Sequence, residues 1–219
     1  IVNGVKEIVQ NYDVDGIHMD DYFYPTFSSS NVNSAFDAKE YRASTMAKSK
    51  KSIATFRREQ VNTLVKAIHK AVKSIDPNVT FGISPAGNID NLTSKYSYYV
   101  DINKWLNSYD YVDYICPQIY WGFKHPYAKF DRVTNRWMNA AKSKKVKVYI
   151  GIAVYRAGHN TGASSSERRE WRSDANVLKK QVQYARKKGC DGFAFFDYQD
   201  LKSKTSAKAV KNLKKVLKR

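Results

Sequence analysis

Five short apolar runs alternate with helix-like segments along the chain, and this alternation limits the possible folds more than any other feature of the sequence. The runs are predicted to be strands at residues 16–21, 79–84, 111–120, 146–155 and 192–198. Segments with the helical spacing of apolar residues lie between them, and no hairpin turn joins consecutive strands. Strands that alternate with helices pair in parallel, so the sequence predicts an α/β protein with a parallel sheet.

The connections on the two sides of the predicted sheet differ in length. Long loops follow the strands, whereas a helix reaches the next strand through only a few residues, as at 188–189. This asymmetry is typical of a (β/α)8 barrel of the TIM type, which usually needs about 250 residues. The chain has 219 residues and begins on a predicted helix at residues 2–12. We therefore predict an incomplete barrel of about five βα units, with the N-terminal strands absent, as a single domain over residues 1–219.

Further helices are predicted at residues 56–75, 100–106, 130–141, 175–187 and 202–219. An open, doubly wound sheet of five strands is the alternative arrangement for such a chain. That fold usually carries a glycine-rich phosphate loop after its first strand. The first predicted strand is followed instead by a long loop rich in Ser and Asn, which favours the barrel.

The charge of the chain narrows its possible partners. Lys and Arg number 38 against 20 Asp and Glu, a formal net charge of +18, and residues 202–219 carry eight basic residues and no acidic one. Such a chain is expected to associate with polyanions. We expect an anionic cell-wall polymer rather than a specific nucleic acid, because no nucleic-acid motif is present. No apolar run approaches the ~20 residues of a transmembrane helix.

Cysteine and histidine give no sign of a metal site. Cys116 and Cys190 lie in or beside predicted strands and are expected to be free thiols. The four histidines are scattered along the chain, without the spacing of a zinc ligand set. We therefore expect neither a metal nor a cofactor.

The segment 13–25, DVDGIHMDDYFYP, contains the first candidate site. Its apolar run ends in two adjacent carboxylates, Asp20 and Asp21, which are followed by Tyr22 and Tyr24. Barrel enzymes carry their catalytic groups at the C-terminal ends of strands, and glycosidases use carboxylates as acid, base or nucleophile. Both aspartates are therefore predicted to be catalytic. The alternative is an Asp-rich strand end that caps the next helix.

Alternation of side chains across a strand sorts the residues of this segment between two faces. His18, Asp20 and Tyr22 fall on one face and are predicted to line the barrel interior, because the apolar residues 17 and 19 fall on the other. Asp20 is therefore the first candidate for a nucleophile or general base. His18 either hydrogen-bonds Asp20 and keeps it ionised or is a histidine of the barrel core.

Polar and aromatic residues also follow the other predicted strands. Carbohydrate clefts use amide, hydroxyl and aromatic groups, and their presence at five successive strand ends favours a site over simple closure of the barrel top. Asp197 is the best partner carboxylate for Asp20 within the chain, and a carboxylate on the absent N-terminal strands is an equal candidate. The predicted substrate-binding residues are His18, Tyr22, Tyr24, Ser84, Asn88, Gln118, Tyr120, Trp121, Tyr155 and Arg156.

The chain resembles the glycosyl-hydrolase-like family 10 proteins in four segments: YDVDGIHMDDYFYP, RREQVNTLVKAIHKAVKSIDPNVTFGISPAGN, YDYVDYICPQIYW and VYIGIAVYR. These are bacterial barrel enzymes and lipoproteins of the cell wall, some of which act on the glycan strands of peptidoglycan. The resemblance implies an extracellular or wall-associated glycoside hydrolase with a polysaccharide substrate. Ala86 and the pair Asp197–Tyr198 depart from the family pattern, which affects the expected substrate and not the fold.

Residues 15–22 also resemble the DGxDxDxE strand of family 18 chitinases. Asp20 matches the last aspartate of that pattern, but Tyr22 stands where the catalytic glutamate would be. Tyrosine does not supply a strong carboxylic acid, so the chitinase mechanism is not expected. Three hypotheses stay open: a cell-wall glycosidase, a catalytically inactive barrel that binds glycan, and a basic protein associated with nucleic acid.

Overall fold

Five parallel strands form one sheet in the computed structural model, which describes residues 1–20, 23–143 and 145–217. The strands follow each other in the order β1-β2-β3-β4-β5, and each consecutive pair is parallel. They are β1 (Gly16–Asp20), β2 (Thr80–Ser84), β3 (Tyr114–Ile115), β4 (Lys147–Ala153) and β5 (Gly192–Phe196). This arrangement confirms the predicted incomplete (β/α) barrel, which here forms a half-barrel.

The helices pack on the convex side of the half-barrel, where the apolar residues of strands and helices form one core. The longest helix shows why: its residues Val61, Val65, Ile68 and Val72 recur at helical spacing and are almost fully buried. The helices are α1 (Val2–Asn11), α2 (Ala38–Ala43), α3 (Thr45–Lys48), α4 (Ile53–Ile75), α5 (Ile89–Leu92), α6 (Ile102–Leu106), α7 (Phe130–Ala140), α8 (Ser165–Ser173), α9 (Val177–Lys187), α10 (Tyr198–Lys202) and α11 (Ala207–Leu217). Within the described ranges, none of them combines the length and apolar composition that a membrane span requires.

The concave face of the sheet carries polar and aromatic side chains. A cavity of about 990 Å³ on this face has walls from β1, β3, β4 and β5, including His18, Tyr114, Tyr149 and Phe193. Gly82 on β2 leaves room for the Tyr114 ring, because a Cβ at that position would lie 2.1 Å from it. The absence of a side chain at Gly82 therefore lets the ring of Tyr114 on the neighbouring strand fill this part of the interior.

Carboxylates fix the N-terminal ends of the strands. Asp113 accepts a hydrogen bond of 2.7 Å from the backbone N–H of Phe81, and Asp191 accepts one of 2.8 Å from that of Val148. Burial acts to raise the pKa of Asp113, but hydrogen bonds from Lys73 and the Phe81 N–H hold it below the usual value. Residues at this end of a barrel serve stability, so these aspartates are structural.

The third strand is much shorter than predicted. Residues 111–120 were expected to form it, but only Tyr114–Ile115 are a strand, and Gln118 adds isolated bridges to Ala86 and Gly151. Pro117 lies between the two parts and has no N–H to donate to a ladder. The fourth and fifth strands also end earlier than predicted, since a 3₁₀ turn (Val154–Arg156) follows β4 and α10 begins after Asp197.

Candidate active site

A cavity of about 550 Å³ opens at the C-terminal ends of the strands, where a barrel fold places its catalytic groups. Each of the five strands or the segment directly after it contributes to the walls. The lining residues are His18, Asp20, Ser84, Cys116, Gln118, Tyr120, Tyr155, Ala194, Phe195 and Phe196. Five other residues that the sequence predicted for the site therefore come together with Asp20: His18, Ser84, Gln118, Tyr120 and Tyr155.

Asp20 is the last residue of β1 and its side chain faces the cavity. Its Oδ1 accepts a hydrogen bond of 3.3 Å from Nε2 of Gln118, which also donates to the backbone oxygen of Ser84 at 3.1 Å. The Ser84 hydroxyl donates to the backbone oxygen of Cys116 at 2.9 Å. This chain of hydrogen bonds ties the carboxylate of β1 to the ends of β2 and β3.

Cys116 lies beneath this network and is buried. Burial raises the pKa of its thiol to about 12, and the nearby charge of Asp20 acts in the same direction. The thiol is therefore neutral at physiological pH, and a thiol that is not ionised is a poor nucleophile. Both cysteines are free, as predicted, although Cys190 is only partly buried.

His18 shares the concave face with Asp20 but hydrogen-bonds a different residue. Its Nδ1 lies 2.8 Å from the Tyr114 hydroxyl, and the two rings stack with centroids 5.8 Å apart. Burial raises the pKa of Tyr114 to about 12, so its hydroxyl keeps its proton. Of the two alternatives for His18, this contact favours the histidine of the barrel core over the hydrogen-bond partner of Asp20.

Three aromatic rings form one wall of the cavity. Tyr120 stacks on Phe196 with ring centroids 5.9 Å apart. Tyr155 packs edge to face against both rings, with its centroid 6.0 Å from that of Tyr120 and 6.1 Å from that of Phe196. Phe196 is 53% exposed and presents its ring to the cavity. Arg156 lies beside this wall, since its Nε donates to the Tyr155 hydroxyl at 3.3 Å. Such a wall offers flat apolar surface against which a sugar ring can pack.

Three predicted site residues have structural roles elsewhere. The Asn88 side chain caps α5 by accepting from the N–H of Asp90 at 2.9 Å, and Trp121 packs against the core beside His125. Tyr24 packs against the buried Arg57, away from the cavity lining. None of these three residues lines the described cavity, and their predicted roles in substrate binding stay predictions.

Asp197, the predicted partner of Asp20, is not among the described residues that line the cavity. Asp197 Oδ1 accepts from the N–H of Asp200 at 3.1 Å and so caps α10. Asp21 and Tyr22 lie outside the described residues. Among the described residues that line the cavity, Asp20 is the one carboxylate. The roles assigned to Asp21, Tyr22 and Asp197 stay predictions.

Phe195 and Phe196 line the cavity but were not among the predicted site residues. The alternation of β5 contained a signal for Phe196, which falls on the same face as the small Ala194. Glu167 supports the site from further away. It is fully buried, and its carboxylate accepts hydrogen bonds from the N–H groups of Gly122 and Ala163 at 3.1 and 2.7 Å. It thereby joins the loops that follow β3 and β4.

The half-barrel and its carboxylate cavity define a glycosidase-type fold. The family model described as glycosyl hydrolase-like 10 matches residues 1–173, and the chain belongs to this family. The resemblance predicted from the four sequence segments is therefore confirmed.

Two curated relatives are glycosyl hydrolases by name. The chain is 34% identical over 191 residues to glycosyl hydrolase YngK of Bacillus subtilis (strain 168), which covers 78% of this chain and 35% of YngK. It is 35% identical over 196 residues to glycosyl hydrolase DigH of Escherichia coli (strain K12), which covers 83% of this chain and 42% of DigH. The chain thus spans well under half the length of these relatives.

A solved structure supports the fold. The glycoside hydrolase domain of PgaB (BpsB) from Bordetella bronchiseptica superposes with a TM-score of 0.55 at 12% sequence identity, covering 95% of this chain and 59% of that one. At this identity the similarity concerns the fold alone.

Proposed function

We propose that the protein is a glycoside hydrolase that acts on bacterial cell-wall polysaccharide, with the glycan strands of peptidoglycan as substrate and Asp20 as a catalytic carboxylate. One observation carries the proposal: Asp20 faces a cavity at the strand C-termini, where Gln118 hydrogen-bonds one carboxylate oxygen and three aromatic rings form one wall. The sugar ring packs on the aromatic wall and presents its anomeric carbon to Asp20.

Glycosidases use two carboxylates, about 5–5.5 Å apart in retaining enzymes and about 6.5–9.5 Å apart in inverting ones. Asp20 serves as nucleophile in the first case and as general base toward water in the second. Asp21 and Asp197 are the partner candidates within the chain. The Gln118 amide keeps the reactive oxygen of Asp20 in place, since it also hydrogen-bonds the backbone of Ser84.

The alternative is a catalytically inactive barrel that binds glycan. The single carboxylate among the described lining residues favours it, because a lone carboxylate does not complete either glycosidase mechanism. The aromatic wall serves a binding protein equally well.

Incubation of the full-length protein with peptide-free peptidoglycan glycan strands separates the two. The enzyme hypothesis predicts shorter strands with new reducing ends, detected by mass spectrometry, and predicts that Asp20→Asn strongly slows their release. Binding of the strands by the parent protein without any new reducing end would instead support the inactive barrel.

The protein is further proposed to act outside the cell or in the wall, held there by an anionic wall polymer. The described lining of the Asp20 cavity contains no Lys or Arg, whereas α9 and α11 pack together and carry many lysines. Affinity for purified walls is expected to fall steeply when NaCl rises from 50 to 500 mM, as counterions screen these charges. Salt-independent binding, or tight sequence-selective binding of nucleic acid, would contradict this.

A further inference from the structure

A second concave site lies on the helical side of the half-barrel. It is a groove of about 890 Å³ between α8, α9 and the loop that follows β3, and it shares no lining residue with the Asp20 cavity. Its lining residues are Phe123, Lys124, Ser166, Arg169, Glu170, Ser173, Asp174, Lys180, Gln183, Tyr184 and Lys187.

Two aromatic rings line the groove. Phe123 and Tyr184 meet edge to face with centroids 6.2 Å apart, and Phe123 also packs on Phe130 at 5.3 Å. Glu170 holds the loop that carries Phe123, because its two carboxylate oxygens accept the backbone N–H groups of Phe123 and Lys124 at 3.1 and 2.9 Å. The aromatic surface is therefore fixed in place before any ligand arrives.

The rim of the groove is positively charged. Among the described residues, Lys124, Arg169 and Lys187 have no carboxylate oxygen within 4.0 Å, whereas Lys180 is paired with Asp174 at 2.6 Å. The carboxylate of Glu170 is already engaged by backbone N–H groups. Four cations and two carboxylates line the groove, so its lining has a net positive charge, which favours an anionic ligand with flat apolar faces.

We propose that this groove binds a carboxylate-bearing segment of a polysaccharide, as a second, non-catalytic glycan site. The sugar rings pack against Phe123 and Tyr184, the sugar carboxylates pair with Arg169, Lys124 and Lys187, and Ser166 and Gln183 supply hydrogen bonds to hydroxyl groups. The choice of a glycan over an acidic peptide rests on the proposed function. The groove holds one segment of the polysaccharide on the outer surface while another segment of the same polysaccharide occupies the Asp20 cavity.

Titration calorimetry tests the proposal with three probes: a hexamer of galacturonic acid, the same hexamer as its neutral methyl ester, and a hexaglutamate peptide. The acidic sugar is expected to bind the protein at least about tenfold more tightly than either of the others. The double variant Lys124→Gln/Arg169→Gln and the variant Tyr184→Ala should each bind the acidic sugar at least about tenfold more weakly than the parent does. Tyr184→Phe keeps the ring and should bind normally, as should Lys70→Gln, which removes an exposed cation on α4 outside the groove.

Three outcomes would overturn the proposal: no binding of the acidic sugar, equal binding by the groove variants and the parent, or equal binding of hexaglutamate. Phe196→Ala, which removes a ring from the aromatic wall of the Asp20 cavity, separates this inference from the catalytic one. If Phe196→Ala abolishes binding of the acidic sugar and the groove variants do not, the sugar occupies only the cavity, and the groove proposal fails while the proposed function survives. If the parent cleaves no wall glycan but the groove variants still lose binding, the proposed function fails and the groove stands.

Discussion

The side chain of Arg57 donates four hydrogen bonds in the described structure. It is fully buried on α4, donates to both carboxylate oxygens of Asp37 at 2.7 and 2.6 Å, and donates to the Tyr99 hydroxyl at 2.9 Å. The ring of Phe27 lies 4.2 Å from the guanidinium carbon. Burial and the neighbouring Asp37 raise the pKa of Tyr24 to about 12 in the same cluster. Arg57 thus anchors the long loop between β1 and α4.

Arg57→Met is predicted to lower the free energy of unfolding by about 3–5 kcal/mol, because it leaves Asp37 buried without a counter-charge. Urea denaturation of the parent and the variant measures this. The double variant Arg57→Met/Asp37→Leu should recover part of the loss, since it removes the uncompensated charge. A single variant as stable as the parent would show that the ion pair contributes nothing to the fold.

Single residues on strands could be predicted better than those in loops. The period of two in β1 placed Asp20 and His18 on the concave face, because the apolar residues 17 and 19 had to face the helices. No such period applies to Tyr24 or Trp121. Their positions depend on contacts with residues distant in the sequence, such as Arg57 for Tyr24, and a single sequence does not reveal these.

At the scale of elements, α4 was predictable and α8 was not. The apolar residues of α4 recur at helical spacing over 23 residues, which is a strong signal. The nine residues of α8, SSERREWRS, contain one large apolar side chain. This helix is held by carboxylates that accept N–H groups of other loops, as Glu167 does, and the sequence shows no local trace of those partners. The sequence did contain a signal for the interruption of β3, since Pro117 has no N–H to donate to a strand ladder, but the apolar run around it predicted one continuous strand.

The pKa of Glu170 on α8 gives a pH prediction. Burial raises it above the usual value even though two backbone N–H groups act to lower it. The folded state therefore holds the proton more tightly than the unfolded state. The stability that the protonated Glu170 contributes is fully present below the pKa of a glutamate in the unfolded chain, which is about 4.3. It is lost as pH rises through the higher pKa of Glu170 in the folded state.

Chemical denaturation between pH 4 and pH 7 tests this by comparing the parent with Glu170→Gln. The stability of the parent relative to the variant is predicted to be greatest at pH 4 and to decline toward pH 7. Glu7→Gln on α1 is the control, because that residue is exposed. A relative stability of Glu170→Gln that does not change with pH would contradict the assignment.

At the scale of the whole molecule, the half-barrel has two free edges. Within the described part of the chain, β1 pairs with β2 alone and β5 pairs with β4 alone. Unpaired edges promote association between chains, so the 219-residue chain by itself is predicted to aggregate or to melt without cooperativity despite its charge of +18. Sedimentation and differential scanning calorimetry measure both properties. A stable monomer with one cooperative transition would contradict this prediction.

The catalytic role of Asp20 is the central claim, and the turnover number of Asp20→Asn on peptide-free glycan strands tests it most directly. The substitution keeps the shape of the side chain but removes its ability to act as nucleophile or base. We predict a loss of about 10²–10⁴-fold in kcat with little change in melting temperature, because Asp20 lies at the mouth of the cavity and serves no part of the core. Asp13→Asn, an exposed aspartate before β1, should retain the parent turnover. Near-normal turnover of Asp20→Asn would contradict the account.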